Sequence, residues 1–155
     1  IMSFIYNRGN LIIGLKDPRM LLNWEAWKPY LKNYEIVGVF RHPSSVAKSL
    51  SKLKNIDISR KKRYGIIDEN YGNELWNHYN KNLLNISKKE QVTFINFDNN
   101  ETFHLKIKNV IEKLNLRFNP EALKFYNPSN RNSDSENKII DTNNINIYNQ
   151  LLKNE

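Results

Sequence analysis

The stretch FRHPSSVAKS, residues 40–49, marks the point where an apolar strand is expected to pass into a helix. The residues from Ile36 to Phe40 form a short apolar run that only Gly38 interrupts. Apolar residues then recur with the spacing of a helix, at Val46, Ala47, Leu50 and Leu53. Because the first N–H groups of a helix have no partner within it, and the helix dipole favours an anion there, this junction predicts an anion-binding site.

Arg41 is the residue at this junction with the strongest anion-binding chemistry. It follows the carboxyl end of the predicted strand, where open α/β sheets tend to bind ligands, and its planar guanidinium suits a phosphate or sulfate. Pro43 suits the first helical position, and Ser44, Ser45 and Ser49 add hydroxyl groups. The alternative is an ordinary capped helix with an exposed arginine beside it.

Composition limits the possible classes of protein and partner. A length of 155 residues fits a single domain, and a net charge of +8 favours anionic partners such as nucleotides, nucleic acid, acidic glycans or membrane surfaces. A basic surface that serves only solubility is the alternative. The chain has no cysteine, and its three histidines lack metal-ligand spacing, so no metal site is expected. No apolar run reaches the roughly 18 residues that span a bilayer, so we expect a soluble, cytoplasmic protein without a transmembrane segment.

The apolar pattern predicts strands that alternate with helices. Strands are expected at Leu11–Leu15, Glu35–Phe40 and Gln91–Phe97, and helices after Asp17, from about Pro43 to Lys54, and over roughly 69–86, 101–114 and 143–153. Residues 55–72 and 126–138 are rich in turn-forming or charged residues and are expected to be loops. This order predicts an α/β class with a mainly parallel sheet flanked by helices.

Several segments resemble sulfotransferases that use 3′-phosphoadenosine-5′-phosphosulfate. RHPSSVAKS, residues 41–49, resembles the 3′-phosphate-binding segment of that family, in which an Arg ends a strand and a Ser follows eight residues later. GLKDPRM, residues 14–20, resembles the strand end where the family places a Lys near the transferring sulfuryl group. ELWNHYNKNLL, VTFINFDNN and ALKFYNPSNR resemble, in order, a helix, a strand and a late loop of the bacterial-type enzymes. The similarity runs from about residue 11 to residue 150.

The resemblance implies a P-loop-like sulfotransferase fold that lacks its amino-terminal part. The family binds the 5′-phosphosulfate with a glycine-rich loop after its first strand, and NRGN, residues 7–10, is too short and precedes no helix. We therefore interpret residues 1–155 as a single α/β domain that forms the carboxyl-terminal portion of a sulfotransferase domain. Whether it is active alone stays open.

The resemblance assigns catalytic roles to Lys16 and Asp17. Lys16 would contact the sulfuryl oxygens as negative charge develops there, and the alternative is a strand-end lysine that extends its ammonium into solvent. Asp17 would accept the acceptor proton, although it is also well placed to cap the following helix. The family commonly uses a His or Glu as base, so upstream residues are an alternative source of this group.

The resemblance assigns four residues to the nucleotide. Arg41 and Ser49 would hold the 3′-phosphate, Tyr71 would present its ring to adenine, and Arg131 would close a late basic loop over the phosphate. An exposed loop arginine is the alternative for Arg131. Trp76 and Tyr79 fit the core better than a ligand platform, and His42 is expected to be structural. Two alternatives stay open for Arg19, a contact with the ligand or with a carboxylate of the core.

The leading hypothesis is a sulfotransferase that moves a sulfuryl group from this nucleotide to a hydroxyl or amine acceptor and releases adenosine 3′,5′-bisphosphate. The acceptor and the oligomeric state are not predicted. One alternative is a basic nucleic-acid-binding module that uses RKKR, residues 60–63, although no recognised nucleic-acid motif is present and no specific nucleic acid is expected. The other is a non-catalytic, sulfotransferase-like interaction domain.

Overall fold

The computed structural model describes residues 2–8, 11–52, 68–121 and 141–155. Within these ranges, four strands form one sheet: β1 (Met2–Arg8), β2 (Leu11–Lys16), β3 (Tyr34–Phe40) and β4 (Val92–Asn96). The same ranges contain five α-helices: α1 (Trp24–Trp27), α2 (Pro43–Lys52), α3 (Glu69–Ser87), α4 (Asn100–Lys113) and α5 (Thr142–Lys153). Short 3-10 helices span Pro18–Leu21 and Lys28–Tyr30. No described helix is long and apolar enough to cross a membrane.

The sheet is mixed, with the strand order β2-β1-β3-β4. β3 and β4 are parallel, whereas β1 is antiparallel to both of its neighbours, β2 and β3. The prediction of mixed helix and strand, with a parallel pair flanked by helices, is confirmed for β3 and β4. The prediction of a mainly parallel sheet is wrong for the described strands, since two of the three pairings are antiparallel, because β1 enters through a hairpin and needs no crossover helix. Because β1 runs opposite to the other three strands, the carboxyl ends of β2, β3 and β4 lie at one edge of the sheet.

Helices cover both faces of the sheet, and β3 contributes to both cores. Ile36 and Phe40 point to the larger cluster, which is shared with α3 and α5, whereas Val37 and Val39 pack against the smaller cluster beneath α4. This alternation follows from the period of two residues in a strand. A strand that is buried on both faces is expected to be almost continuously apolar, as β3 is.

The contact between α2 and α3 depends on a glycine. A Cβ atom added at Gly72 would lie 2.7 Å from the Cα atom of Ala47, which is closer than a side chain can approach. The two helices therefore pack backbone against backbone at this point. Trp76, one turn further along α3, is buried in the larger core. This packing fixes α2, and with it the segment that follows β3.

The helices predicted over 69–86, 101–114 and 143–153 are confirmed, with bounds that differ by at most one residue at each end. The segment after β2 is less regular than one predicted helix, since it consists of α1 between two 3-10 helices. Asp17 caps the first of these, as predicted, and Pro18 occupies its first position. Trp24 is buried there, while Trp27 is 44% exposed.

Candidate active site

The residues predicted to bind an anion lie near the carboxyl edge of the sheet. Lys16 ends β2, Arg41 follows β3, and Phe97 and Asp98 follow β4. β1 lies between β2 and β3, and the register places Lys16 opposite Ser3 and Ser3 opposite Val37, so the backbone of Lys16 lies two strand spacings, roughly 10 Å, from that of Val37, which is four residues before Arg41. The topology thus brings the predicted catalytic lysine and the predicted phosphate-binding arginine to one edge.

Arg41 is held at three points, two on its guanidinium and one on its backbone. Its Nε donates to Oδ1 of Asp98 at 2.9 Å, and its Cζ lies 5.1 Å from the centroid of the Phe97 ring. Its own carbonyl accepts a hydrogen bond of 3.0 Å from the indole of Trp76. The two terminal Nη atoms have no hydrogen-bond partner among the described residues, and the side chain is 23% exposed. A fixed arginine with a free pair of donors is suited to phosphate oxygens.

The start of α2 already has an anionic partner, which is Asp98. Its Oδ2 accepts a hydrogen bond of 2.8 Å from the backbone N–H of His42, while Oδ1 binds Arg41. Pro43, Ser44 and Ser45 at the first turn of α2 are buried. The sequence predicted an anion at this helix start, and the structure places a carboxylate of the protein there. A phosphate at Arg41 therefore has the terminal guanidinium nitrogens to bind, rather than the first amides of α2.

His42 is enclosed by protein groups. Its Nδ1 lies 2.7 Å from Oγ of Ser44, and its ring meets the ring of Tyr148 edge-on, with 5.0 Å between centroids. Burial lowers the pKa of His42, and the negative charge of Asp98 opposes that shift only in part. These contacts agree with the structural role expected for this histidine.

Ser49 lies on the exposed side of α2, eight residues after Arg41. Its hydroxyl has no hydrogen-bond partner among the described residues. Ser51 differs, because its hydroxyl donates to the carbonyl of Lys48 at 2.9 Å. Ser49 is six residues beyond Pro43, which is about 9 Å along the helix axis. The structure therefore leaves the Ser49 hydroxyl open to a ligand that reaches outward from the start of α2.

Lys16 and Asp17 differ in how they are held. Lys16 is exposed and makes no hydrogen bond or ion pair within the described part of the chain. The Asp17 carboxylate accepts hydrogen bonds from the backbone N–H of Arg19 at 2.9 Å and from its guanidinium, and these bonds lower its pKa to about 2. Asp17 is thus an N-cap and the ion-pair partner of Arg19, and so low a pKa makes it a weak proton acceptor.

Tyr71 lies in the first turn of α3, and its side chain is half-buried. Its backbone N–H donates to the capping carboxylate of Asp68 at 2.8 Å. Burial raises the pKa of Tyr79, two turns further on, and the charges of Asp17 and Tyr71 add to that shift. Electrostatic contact therefore links Tyr79 to both of these predicted site residues. The predicted contribution of Arg131 falls outside the described residues.

A cavity of about 510 Å³ opens between the ends of the strands and helices α2 and α3. Its lining is apolar except for Arg41, Tyr79 and Asn80. The apolar residues are Pro18, Leu21, Val39, Phe40, Val46, Leu50, Leu75, Trp76 and Phe97. Sequence reasoning assigned Trp76 and Tyr79 to the core. Trp76 is indeed 3% exposed, whereas Tyr79 packs against the core and also faces the cavity.

Helical spacing is the signal that could have revealed this cavity. Val46 and Leu50 are four residues apart on α2, and Leu75 and Tyr79 are four apart on α3, so each pair lies on one helix face.

No protein-family model, curated protein or solved structure significantly matches this chain. The interpretation of the site therefore depends on its residues and their geometry.

Proposed function

We propose that the chain is a sulfotransferase that uses 3′-phosphoadenosine-5′-phosphosulfate as donor and a hydroxyl or amine as acceptor. The proposal depends on one observation, which is how the guanidinium of Arg41 is held. Asp98 and Phe97 orient its guanidinium and leave the two terminal nitrogens free, at the same sheet edge as Lys16. An arginine that only stabilised the fold would not need to keep these donors open.

The donor groups at this edge fit a nucleotide that carries a 3′-phosphate. The free fork of Arg41 matches two oxygens of a phosphate, and the open hydroxyl of Ser49 supplies a further donor along α2. The ring of Tyr71, in the turn of α3 that packs on α2, offers a face on which adenine can stack. The set is cationic and hydroxylic, as binding of a doubly charged phosphate ester requires.

When bound, the donor supplies a sulfuryl group. Its sulfur would form a bond to the oxygen or nitrogen of the acceptor while the bond from sulfur to the 5′-phosphate oxygen breaks. The 5′-phosphate oxygen would keep the electron pair of the broken bond. The ammonium of Lys16 would lower the barrier by stabilising negative charge at that position. Asp17 is a weak base because its pKa is about 2, so we assign the acceptor proton to solvent water. Asp17 then acts by holding the turn that follows Lys16.

Binding of adenosine 3′,5′-bisphosphate, measured by calorimetry, tests the proposal. Charge-assisted hydrogen bonds contribute about 1.5–3 kcal/mol, so we expect Arg41→Ala to weaken binding by roughly ten- to a hundredfold. Ser49→Ala should weaken it about two- to tenfold, since one neutral hydrogen bond is lost. Ser51→Ala is the matched control on the same helix and should bind as the wild type does, because its hydroxyl is already bonded to Lys48.

Each alternative predicts a different result. Bisphosphate binding that ignores both the Arg41 and Ser49 changes would count against the proposal. Binding of single-stranded DNA with a steep dependence on salt, without nucleotide binding, would favour the nucleic-acid module. Nucleotide binding without sulfuryl transfer would favour the non-catalytic interaction domain.

A further inference from the structure

The cavity beside Arg41 has the size and the lining of a small-molecule site. Its volume of about 510 Å³ falls within the range of roughly 300–1,000 Å³ that is typical of ligand pockets. Its walls come from the ends of β3 and β4, from the 3-10 helix that follows β2, and from one face each of α2 and α3. Such sites combine an apolar lining with a few polar groups that orient the ligand, which is the composition seen here.

Most residues assigned to the nucleotide and to sulfuryl transfer do not line this cavity. Ser49, Tyr71 and Lys16 do not line the cavity. Of the described residues assigned to these roles, only Arg41 also lines the cavity. The nucleotide groups therefore follow the outer surfaces of α2 and α3, while the cavity extends inward from Arg41. Building on the proposed function, we propose that this cavity binds the acceptor, and that the acceptor is a small alcohol or phenol with an apolar body.

The polar groups of the lining are too few for a carbohydrate. A sugar in this cavity would lose water from several hydroxyl groups, and each group without a new partner costs free energy. One N–H of the Asn80 amide already donates to the carbonyl of Trp76 at 2.7 Å. The rest of that amide and the neutral hydroxyl of Tyr79 are then the polar groups beside Arg41, and they can hydrogen-bond to one acceptor oxygen. The lining thus matches a molecule with a single polar end.

The width of the cavity is set by the packing of its two helices. α2 cannot move toward α3, because Gly72 and Ala47 already meet backbone to backbone. Leu50 lines the cavity and is only partly buried, so a larger side chain there can extend into the open space. Leu50→Trp should therefore fill the cavity without displacing the helices.

Calorimetric titration with 2-naphthol, an apolar alcohol, and with methyl glucoside, a polar one, tests the inference. We expect the wild-type protein to bind naphthol and not the glucoside, and we expect Leu50→Trp to weaken naphthol binding at least tenfold. Leu105→Trp is the matched control, because Leu105 lies on α4, is 59% exposed and does not line the cavity. Naphthol should also shift the NMR signal of the Trp76 indole N–H, which lies at the cavity wall.

Titration with adenosine 3′,5′-bisphosphate separates this inference from the proposed function. Naphthol binding that Leu50→Trp leaves unchanged, or glucoside binding without naphthol binding, would overturn the inference even if the bisphosphate binds. Naphthol binding without bisphosphate binding would keep the apolar site and reject the sulfotransferase. If Leu50→Trp loses its wild-type circular dichroism spectrum, Val46→Phe narrows the same wall and carries the same expectation.

Discussion

The ends of β2 and β3 lie at the same edge of the sheet but are held in different ways. At the end of β3, Arg41 contacts Asp98 and Phe97 beyond β4, and Trp76 of α3 binds its carbonyl. At the end of β2, the Asp17 carboxylate bonds to Arg19, two positions further along the chain, its carbonyl accepts from Met20, and the Lys16 side chain has no partner within the described residues. One end is fixed by long-range contacts and the other by local ones.

This difference assigns different tasks to the two ends. Because the surrounding protein already orients Arg41, little side-chain entropy remains to be lost when it binds a ligand. Lys16 is free to change rotamer, and ordering it costs free energy that only a developing negative charge can offset. The β3 end is therefore suited to binding, whereas the β2 end is suited to the chemical step.

The largest effect that tests this division is expected at Lys16. Removing one group that stabilises transition-state charge typically lowers kcat by about a hundred- to a thousandfold, and we expect a loss within this range for Lys16→Ala in sulfuryl transfer to naphthol. Binding of adenosine 3′,5′-bisphosphate should not change, because this product carries no sulfuryl group. Lys32→Ala, at another exposed lysine, is the control and should retain full activity.

The reverse pattern would contradict the assignment of binding to the β3 end and of the chemical step to the β2 end. If Lys16→Ala weakens bisphosphate binding and leaves kcat unchanged, the β2 end belongs to the nucleotide site. Comparison with Arg41→Ala in the same assays shows which end carries which task.

A smaller effect, on the free energy of unfolding, is expected from substitution of the glycines in these two strands. A Cβ atom at Gly38 of β3 would lie 2.9 Å from Cδ1 of Leu83, which is 1% exposed, whereas nothing lies within 4 Å of the corresponding position at Gly14 of β2. Overpacking of a core costs about 1–3 kcal/mol, and we expect Gly38→Ala to lower the free energy of unfolding by this amount. Gly14→Ala should stay within about 0.5 kcal/mol of the wild type.

Urea unfolding followed by circular dichroism measures both glycine variants. Equal losses of stability in the two variants would show that the β2 end is packed as tightly as the β3 end. A neutral Gly38→Ala would show that Leu83 can move, and the β3 end would then be less rigid than its contacts indicate.

The sequence was sufficient for the elements with strong local signals. Helices α3, α4 and α5 each begin after a capping residue, which is Asp68, Asn99 or Asp141, and each continues with apolar residues at helical spacing. β1 was not predicted, because the first long apolar run of the sequence begins at Leu11. The dipeptide Gly9-Asn10 between β1 and β2 is typical of two-residue hairpins and was the available signal.

The site was predictable only where its chemistry is local. The strand-to-helix junction was enough to single out Arg41, because the residues that define it are adjacent in sequence. Its partner Asp98 is 57 positions away, and only the parallel pairing of β3 with β4 brings the two together. The cavity likewise needs residues from the ends of β3 and β4, the 3-10 helix after β2, and two α-helices. Such a combination is fixed by strand order, which the periodicity of a single sequence does not determine.

The smallest effect is expected from the local ion pair at the β2 end. The hydrogen bonds from Arg19 lower the pKa of Asp17 from 3.8 to about 2, so the unfolded chain binds a proton at higher pH than the folded protein does. The resulting stability is present above about pH 4 and is lost as the pH falls toward 2. Asn caps helices as well as Asp does, so Asp17→Asn should remove this pH dependence and keep the cap.

Urea unfolding between pH 2 and pH 5 should therefore show a shallower decline for Asp17→Asn than for the wild type, and the two curves should converge near pH 2. Asp68→Asn is the matched control, because Asp68 also caps a helix but its carboxylate binds the backbone N–H of Tyr71 rather than an arginine side chain. If both substitutions change the fall in the free energy of unfolding between pH 5 and pH 2 equally, this pH dependence is a property of capping carboxylates in general. Arg19 would then contribute nothing, and the β2 end would depend on its cap alone.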